Sequence, residues 1–203
     1  DVAPYDDEAM SREVALFTQW YAPAVGIAVD EPAYLDAWRT VWRGVLEAVE
    51  REPVLVLRDY HADNLMVLPD RNDLGLLDFQ DALAGHPAYD LVSLLQDARR
   101  DVSRELEAAM LERYAQAAGI ADPAAFRAHY EILGAQRNTK ILGIFTRLWK
   151  RDGKRHYLPL QPRVWSYLER NLTHPSLAPV RDWFDAHVPP LMRAAAWSGE
   201  TKP

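Results

Sequence analysis

Apolar residues along this chain fall into a helical rhythm, then into short β-like runs, then into helices again. Between Asp7 and about Tyr21, Val14, Phe17 and Tyr21 form a helical stripe, with Leu16 and Trp20 beside it. Pro32 fits a first helical turn. After it, Tyr34, Leu35, Trp38, Val41, Trp42, Val45, Leu46 and Val49 repeat at i, i+3, i+4 and i+7, which predicts a long helix that Pro53 stops. Trp38 and Trp42 lie on that stripe and are expected in a core. Then come three short apolar runs: Val54–Leu57, Leu65–Leu68 and Leu74–Phe79. The polar cluster Pro69–Asp73 between the last two predicts a hairpin. Further helices are predicted from Pro87 to about Arg99, from a Ser103 cap to Ala118 with Gly119 as the stop, from the Asp122-Pro123 cap to about Trp149, over Pro162–Asn171 and over Val180–His187. Arg151-Asp152-Gly153 reads as a turn, and the tail after Trp197 as polar and frayed. The expected class is α+β: mostly α, with a small β-hairpin.

Composition narrows the field. The chain has 203 residues, enough for one domain or one large lobe, with no low-complexity run. A net charge of −7 argues against a nucleic-acid partner, because phosphate backbones reward clustered Lys and Arg. No stretch is apolar enough to span a bilayer, and the acidic start, Asp1, Asp6, Asp7 and Glu8, does not read as a signal peptide. There is no cysteine, which fits a cytoplasmic location. The start at Asp rather than Met suggests processing or truncation.

The chemistry concentrates in Leu57-Arg58-Asp59-Tyr60-His61-Ala62-Asp63-Asn64, with Asp78-Phe79-Gln80 beginning fourteen residues after Asn64. Phosphoryl transfer from a nucleotide needs a carboxylate to orient the acceptor hydroxyl and take its proton, and hard oxygen ligands for a divalent metal. Asp59 at the head of the loop supplies the base. Asn64, five residues on, supplies one metal ligand, and a strand returning to Asp78 supplies another. The order matches R-D-x-x-x-x-N followed by D-F. A rival reading takes Asp59, His61 and Asp63 as the metal cluster of a hydrolase, which requires an extended segment. Asp63 also reads simply as a turn residue.

The stretch Arg58–Asn64, with Leu77-Asp78-Phe79-Gln80-Asp81-Ala82 and Gly85-His86-Pro87-Ala88-Tyr89-Asp90-Leu91, resembles the aminoglycoside phosphotransferase and choline kinase superfamily. The resemblance implies the C-terminal lobe of a protein-kinase-like fold, with catalytic loop 57–65, metal-binding hairpin end 74–81 and substrate-side helices 86–195. It implies Asp59 as base, Asn64 and Asp78 as Mg²⁺ ligands, ATP as donor, a small-molecule acceptor, and Arg58 and Asp90 as supports of the loop. A narrower resemblance lies in Gln136–Phe145, Arg151–Lys154, Tyr157-Leu158 and Asp90–Leu95. These segments are similar to bacterial kinases that phosphorylate N-acetylmuramate and N-acetylglucosamine at the anomeric hydroxyl, in cell-wall recycling. His61 is then a candidate to hydrogen-bond the sugar, and Arg137, Lys140 and Arg147 are candidates for a carboxylate. Aminoglycoside or choline acceptors, or a silent binding module, remain alternatives.

Two departures stand out. Many superfamily members have His where this chain has Leu57. The first lysine is Lys140, and no G-x-G precedes the loop, so the N-terminal nucleotide lobe is expected to be absent.

Overall fold

The fold comes from a computed structural model, which describes residues 2–70 and 73–193. In chain order the elements are α1 (Asp7–Leu16), a π-helical turn (Phe17–Tyr21), α2 (Ala22–Ala24), α3 (Glu31–Arg51), β1 (Val54–Val56), β2 (Leu65–Leu68), β3 (Asp73–Leu76) and β4 (Leu83–Gly85). Helices follow: α4 (Ala88–Leu95), α5 (Arg104–Ala117), α6 (Pro123–Asp152), α7 (Gln161–Leu172), α8 (Ala178–His187) and α9 (Pro190–Arg193). The class is mostly helical with small antiparallel sheets, as expected. The tail after Trp197 and residues 194–195 of the substrate-side helices lie outside the described residues. Among the described residues, no helix is long and apolar enough to cross a membrane.

The chain divides into two compact units. One comprises Asp1–Asp6 and Gly44–Tyr130; the other comprises Asp7–Arg43 and Glu131–Pro203.

The first unit contains both sheets. β2 and β3 form the expected hairpin, in register Leu65–Leu76 through Leu68–Asp73. β1, the first of the three apolar runs, lies outside that hairpin. It pairs antiparallel with β4, Val54 opposite Gly85 and Val56 opposite Leu83. Pro4 adds an isolated parallel bridge to Ala84, flanked by Tyr5 N donating to Ala84 O and Ala84 N to Ala3 O, both at 2.8 Å. Val56 and Tyr89 are fully buried, and Tyr5 meets Tyr89 edge-on at 5.1 Å. The helix expected to reach Arg99 stops at Leu95. There the Asp97 carboxylate accepts the Arg99 amide at 2.9 Å, diverting the backbone from helix. Ser103 caps α5 through the Leu106 amide, and Asp122 caps α6 through Ala124 and Ala125. Gly119 ends α5 in the left-handed region at φ 64°.

A histidine pair also belongs to this unit. The Ala88 amide donates to His86 Nδ1 at 3.2 Å, so the His86 ring proton sits on Nε2. That nitrogen faces His129 Nδ1 at 3.0 Å, which must then accept. Both rings are therefore neutral. Burial, and to a lesser degree His129, pushes His86 down to about 3, and burial lowers His129 as well. The unfolded chain takes up protons near the ordinary value of 6.5, while the folded chain resists until far lower pH. Stability is accordingly full above about 6.5 and falls on acidification, by ~1.4 kcal/mol per pH unit for a fully resisting group. Urea unfolding midpoints should fall from pH 7.5 to pH 5, and less steeply in His86→Asn. Equal slopes in the two proteins would refute this source of acid lability.

The second unit has an aromatic core. Phe17, Tyr21, Trp38, Trp42 and Phe184 are fully buried, with Phe17 stacked on Tyr21 at 4.8 Å and Trp38 on Trp42 at 5.8 Å. Several polar edges of this core are satisfied: Trp42 Nε1 donates to Asp7 Oδ1, Trp165 Nε1 to the Tyr21 hydroxyl and Tyr34 to Val14 O, at 2.9 to 3.0 Å. α6 crosses α1 at its last residue with almost no separation. A Cβ placed on Gly143 would lie 2.4 Å from the Leu16 carbonyl carbon and oxygen.

Candidate active site

The loop between β1 and β2 is built by hydrogen bonds from three sides, all within the first unit. Its own turns come first. Asp59 N donates to Leu57 O at 2.8 Å, His61 N to Asp59 O at 3.0 Å, and Asn64 N to His61 O at 2.9 Å. Residues Ala62–Asn64 form a 3-10 turn. The Asn64 side-chain amide donates to Asp59 O at 2.9 Å. That bond fixes the amide's orientation and leaves its Oδ1 as an acceptor.

The hairpin contributes next. Leu77 N donates to Asn64 O at 3.0 Å, which brings the residue preceding Asp78 onto the loop. β3 ends at Leu76, so Asp78 lies beyond the strand rather than at its tip. Asp78 takes φ 59°, a left-handed conformation that a short polar side chain tolerates. Its Oδ1 accepts Gln80 Nε2 at 2.8 Å, and the carboxylate is exposed.

Helix α4 contributes the third side. The Asp90 carboxylate accepts Leu57 N at 2.8 Å and Arg58 N at 3.0 Å, one oxygen each. Ser93, one helical turn on, donates to Arg58 O at 3.1 Å. Arg58 itself has φ 69°, which costs a bulky residue about 1–2 kcal/mol. Its guanidinium reaches Asp81 O at 3.3 Å and lies over the Tyr5 ring. The Asp59 carboxylate, next in the chain, is exposed and takes no hydrogen bond from a described residue. Arg58, Asp59, Asn64, Asp78 and Asp90 thus form one connected set, and His61 belongs to the same loop.

Asp63 faces elsewhere. It pairs with Arg100 at 2.8 Å and lies 3.8 Å from Arg99, and the Arg100 hydrogen bond holds its carboxyl below the ordinary range. The 3-10 turn, and the lack of any metal-capable group of three or more His, Cys, Asp or Glu among the described residues, remove support from a cluster of Asp59, His61 and Asp63. Sequence reasoning missed Ser93 and Gln80. Ser93 stands three residues after Asp90 on one helix, a spacing that marks a shared face.

Arg137 and Lys140 belong to the second unit, on α6. Lys140 Nζ pairs with Glu13 at 2.7 Å, and Gln136 donates to the other Glu13 oxygen at 2.9 Å. Arg137 is 5% exposed, and its Nη1 has no acceptor among the described residues.

Asn64 and Asp78 suit a hard cation. Both offer oxygen, and Mg²⁺ is commonly held by one or two protein ligands plus water and phosphate.

Comparison with known proteins identifies the family. A family model described as the phosphotransferase enzyme family matches residues 2–129. The N-acetylmuramate/N-acetylglucosamine kinase of Caulobacter vibrioides is 45% identical over 189 residues, covering 91% of this chain and 52% of that protein. The protein of that name from Neisseria meningitidis is 40% identical over 185 residues, covering 87% of this chain and 54% of the relative. The one from Pseudomonas aeruginosa is 39% identical over 173 residues, covering 81% and 50%. The chain spans about half the length of the curated relatives it matches. With the family model covering more than half of its residues, the chain belongs to the phosphotransferase enzyme family.

Proposed function

We propose that the intact protein is an ATP-dependent kinase acting on the anomeric hydroxyl of an amino sugar, N-acetylmuramate or N-acetylglucosamine, in cell-wall recycling. This chain supplies its catalytic loop, as the second lobe of a kinase-like fold. The observation that carries the reading is the connected set of Asp59, Asn64 and the Leu77-Asp78 return, in a chain 38–45% identical to kinases of that name.

In this reading Asp59 orients the acceptor hydroxyl and takes its proton. An anomeric hydroxyl is more acidic than an ordinary alcohol, so an exposed carboxylate is an adequate base. Asn64 through Oδ1 and Asp78 through its carboxylate hold Mg²⁺ with the nucleotide. When bound, the metal neutralises charge on the phosphates. Arg58 and Asp90 fix the loop, and His61 contacts the sugar.

In this reading the nucleotide-covering lobe lies in the half of the intact protein that this chain does not span. Val67 and Leu74, opposite one another on the β2–β3 hairpin, are both exposed and apolar, which suits packing against that lobe.

Replacing Asp78 by Ala is expected to remove the metal dependence of nucleotide binding without unfolding the protein, at a cost of about 1 kcal/mol for alanine in the left-handed region. Calorimetric nucleotide titrations at several Mg²⁺ concentrations test this, and an unchanged metal requirement would count against Asp78 as a ligand. The reaction itself is tested by offering the free sugars beside their 1-O-methyl glycosides. The free sugars should be phosphorylated and the blocked ones not. Equal phosphorylation would move the reaction to another hydroxyl. Turnover only with an aminoglycoside or choline would reject the sugar.

A further inference from the structure

We infer that Ser93 is a positioning residue for the catalytic loop, acting by holding Arg58 in a left-handed backbone conformation. The inference rests on the kinase reading of Asp59 given above.

The residue immediately before Asp59 sits at φ 69°, where an arginine does not settle unaided. Its peptide groups are gripped at both ends from one helix face. Asp90 Oδ1 accepts the Arg58 amide at 3.0 Å, and Ser93 Oγ donates to the Arg58 carbonyl at 3.1 Å. Ser93 is fully buried, so its hydroxyl has no water to turn to. The Arg58 carbonyl belongs to the peptide plane that continues into Asp59 N. Fixing that carbonyl sets the direction in which the chain, and the Asp59 carboxylate, leaves the turn. Asp90 holds the plane before Arg58 through the Arg58 amide, and Ser93 joins the Asp59 N–Leu57 O bond in holding the plane after it. Without the hydroxyl, that second plane keeps only the Asp59 N–Leu57 O bond and can turn about the Arg58 Cα–C bond, which re-aims Asp59. A proton acceptor displaced by about an ångström loses much of its effect, while nucleotide binding through other residues is spared.

This role differs from simple packing in one respect. Glycine adopts φ 69° without strain. In an Arg58→Gly background the clamp has little left to hold, and the hydroxyl should matter much less.

The experiment is a double-mutant cycle in the intact protein, with kcat, KM for each substrate, and hydrogen exchange at the His61 and Asn64 amides. Ser93→Ala is expected to lower kcat roughly five- to tenfold with KM for nucleotide nearly unchanged. It is also expected to speed exchange at those amides while α5 amides keep their protection. In the Arg58→Gly background the same change should lower kcat by less than about twofold. Equal losses in both backgrounds, or undisturbed loop amides in Ser93→Ala, would overturn the inference. If the intact wild type phosphorylates no acceptor, the kinase reading fails, and the exchange measurements alone still decide whether Ser93 clamps the loop.

Discussion

Replacing Asp59 by Asn in the intact protein lowers kcat about 10²–10⁴-fold, the usual contribution of a general base, and leaves nucleotide affinity nearly intact. The expectation follows from where the carboxylate sits. It is exposed, and no described residue donates to it, so the protein has not committed it to a structural bond. The loop is held instead through the Asp59 carbonyl, which accepts His61 N and Asn64 Nδ2. An amide side chain leaves both of those bonds in place. Fold, loop and metal ligands therefore survive the substitution, and only the proton acceptor is lost. Steady-state kinetics beside a nucleotide titration separate the two effects. Full turnover by the Asn variant would remove Asp59 from the mechanism.

Gly143→Ala should be among the most destabilising single changes available in the second unit, at about 3 kcal/mol or more. The added methyl would lie 2.4 Å from main-chain atoms of Leu16, and main chain cannot rotate aside as a side chain can. α6 would have to lift off α1 where the π-helical turn begins. Gly44→Ala is the matched control. Its Cβ would meet only His129 Nε2, at 3.6 Å, within a regular helix. There the usual preference for alanine applies, and a gain of ~0.5–1 kcal/mol is expected. Urea unfolding of the two variants measures both, and a Gly143→Ala protein as stable as wild type would show that the close approach is easily relieved.

The contrast between these glycines also shows what the amino-acid pattern carries and what it hides. α3 was readable because eight apolar positions keep one helical period before Pro53. The caps at Ser103 and Asp122 were readable because their chemistry is local. β4 was not: Leu83-Ala84-Gly85 is too short to alternate, and its partner β1 lies some thirty residues earlier. The π-helical turn hid inside a stripe, Val14, Phe17 and Tyr21, that an ordinary α-helix also satisfies. α4 was overextended because Gln96, Asp97 and Ala98 are buried and no glycine or proline marks the end; an aspartate turn does. At the candidate site, Asp59, Asn64 and Asp78 were visible through their spacing. The left-handed backbone at Arg58 and its hydroxyl support were not, because nothing in an Arg-Asp pair announces a conformation imposed by a helix thirty-five residues on.

The interleaving of the two units bears on how the chain is made. A ribosome releases residues 7–43 before anything else of the second unit, and the remainder begins only at Glu131. At 5–20 residues per second, roughly 4–17 s of synthesis separate the two segments. During that interval Phe17, Tyr21, Trp38 and Trp42 have emerged, while Trp165 and Phe184, which complete their core, have not been translated. The first unit is complete only once Tyr130 is clear of the exit tunnel, after that interval has ended. Throughout it the nascent chain carries an unfinished aromatic cluster, which makes residues 7–43 the segment that chaperones would be expected to hold. No single cut in the gene yields either unit whole. An expression fragment ending near residue 130 would retain that orphaned cluster permanently.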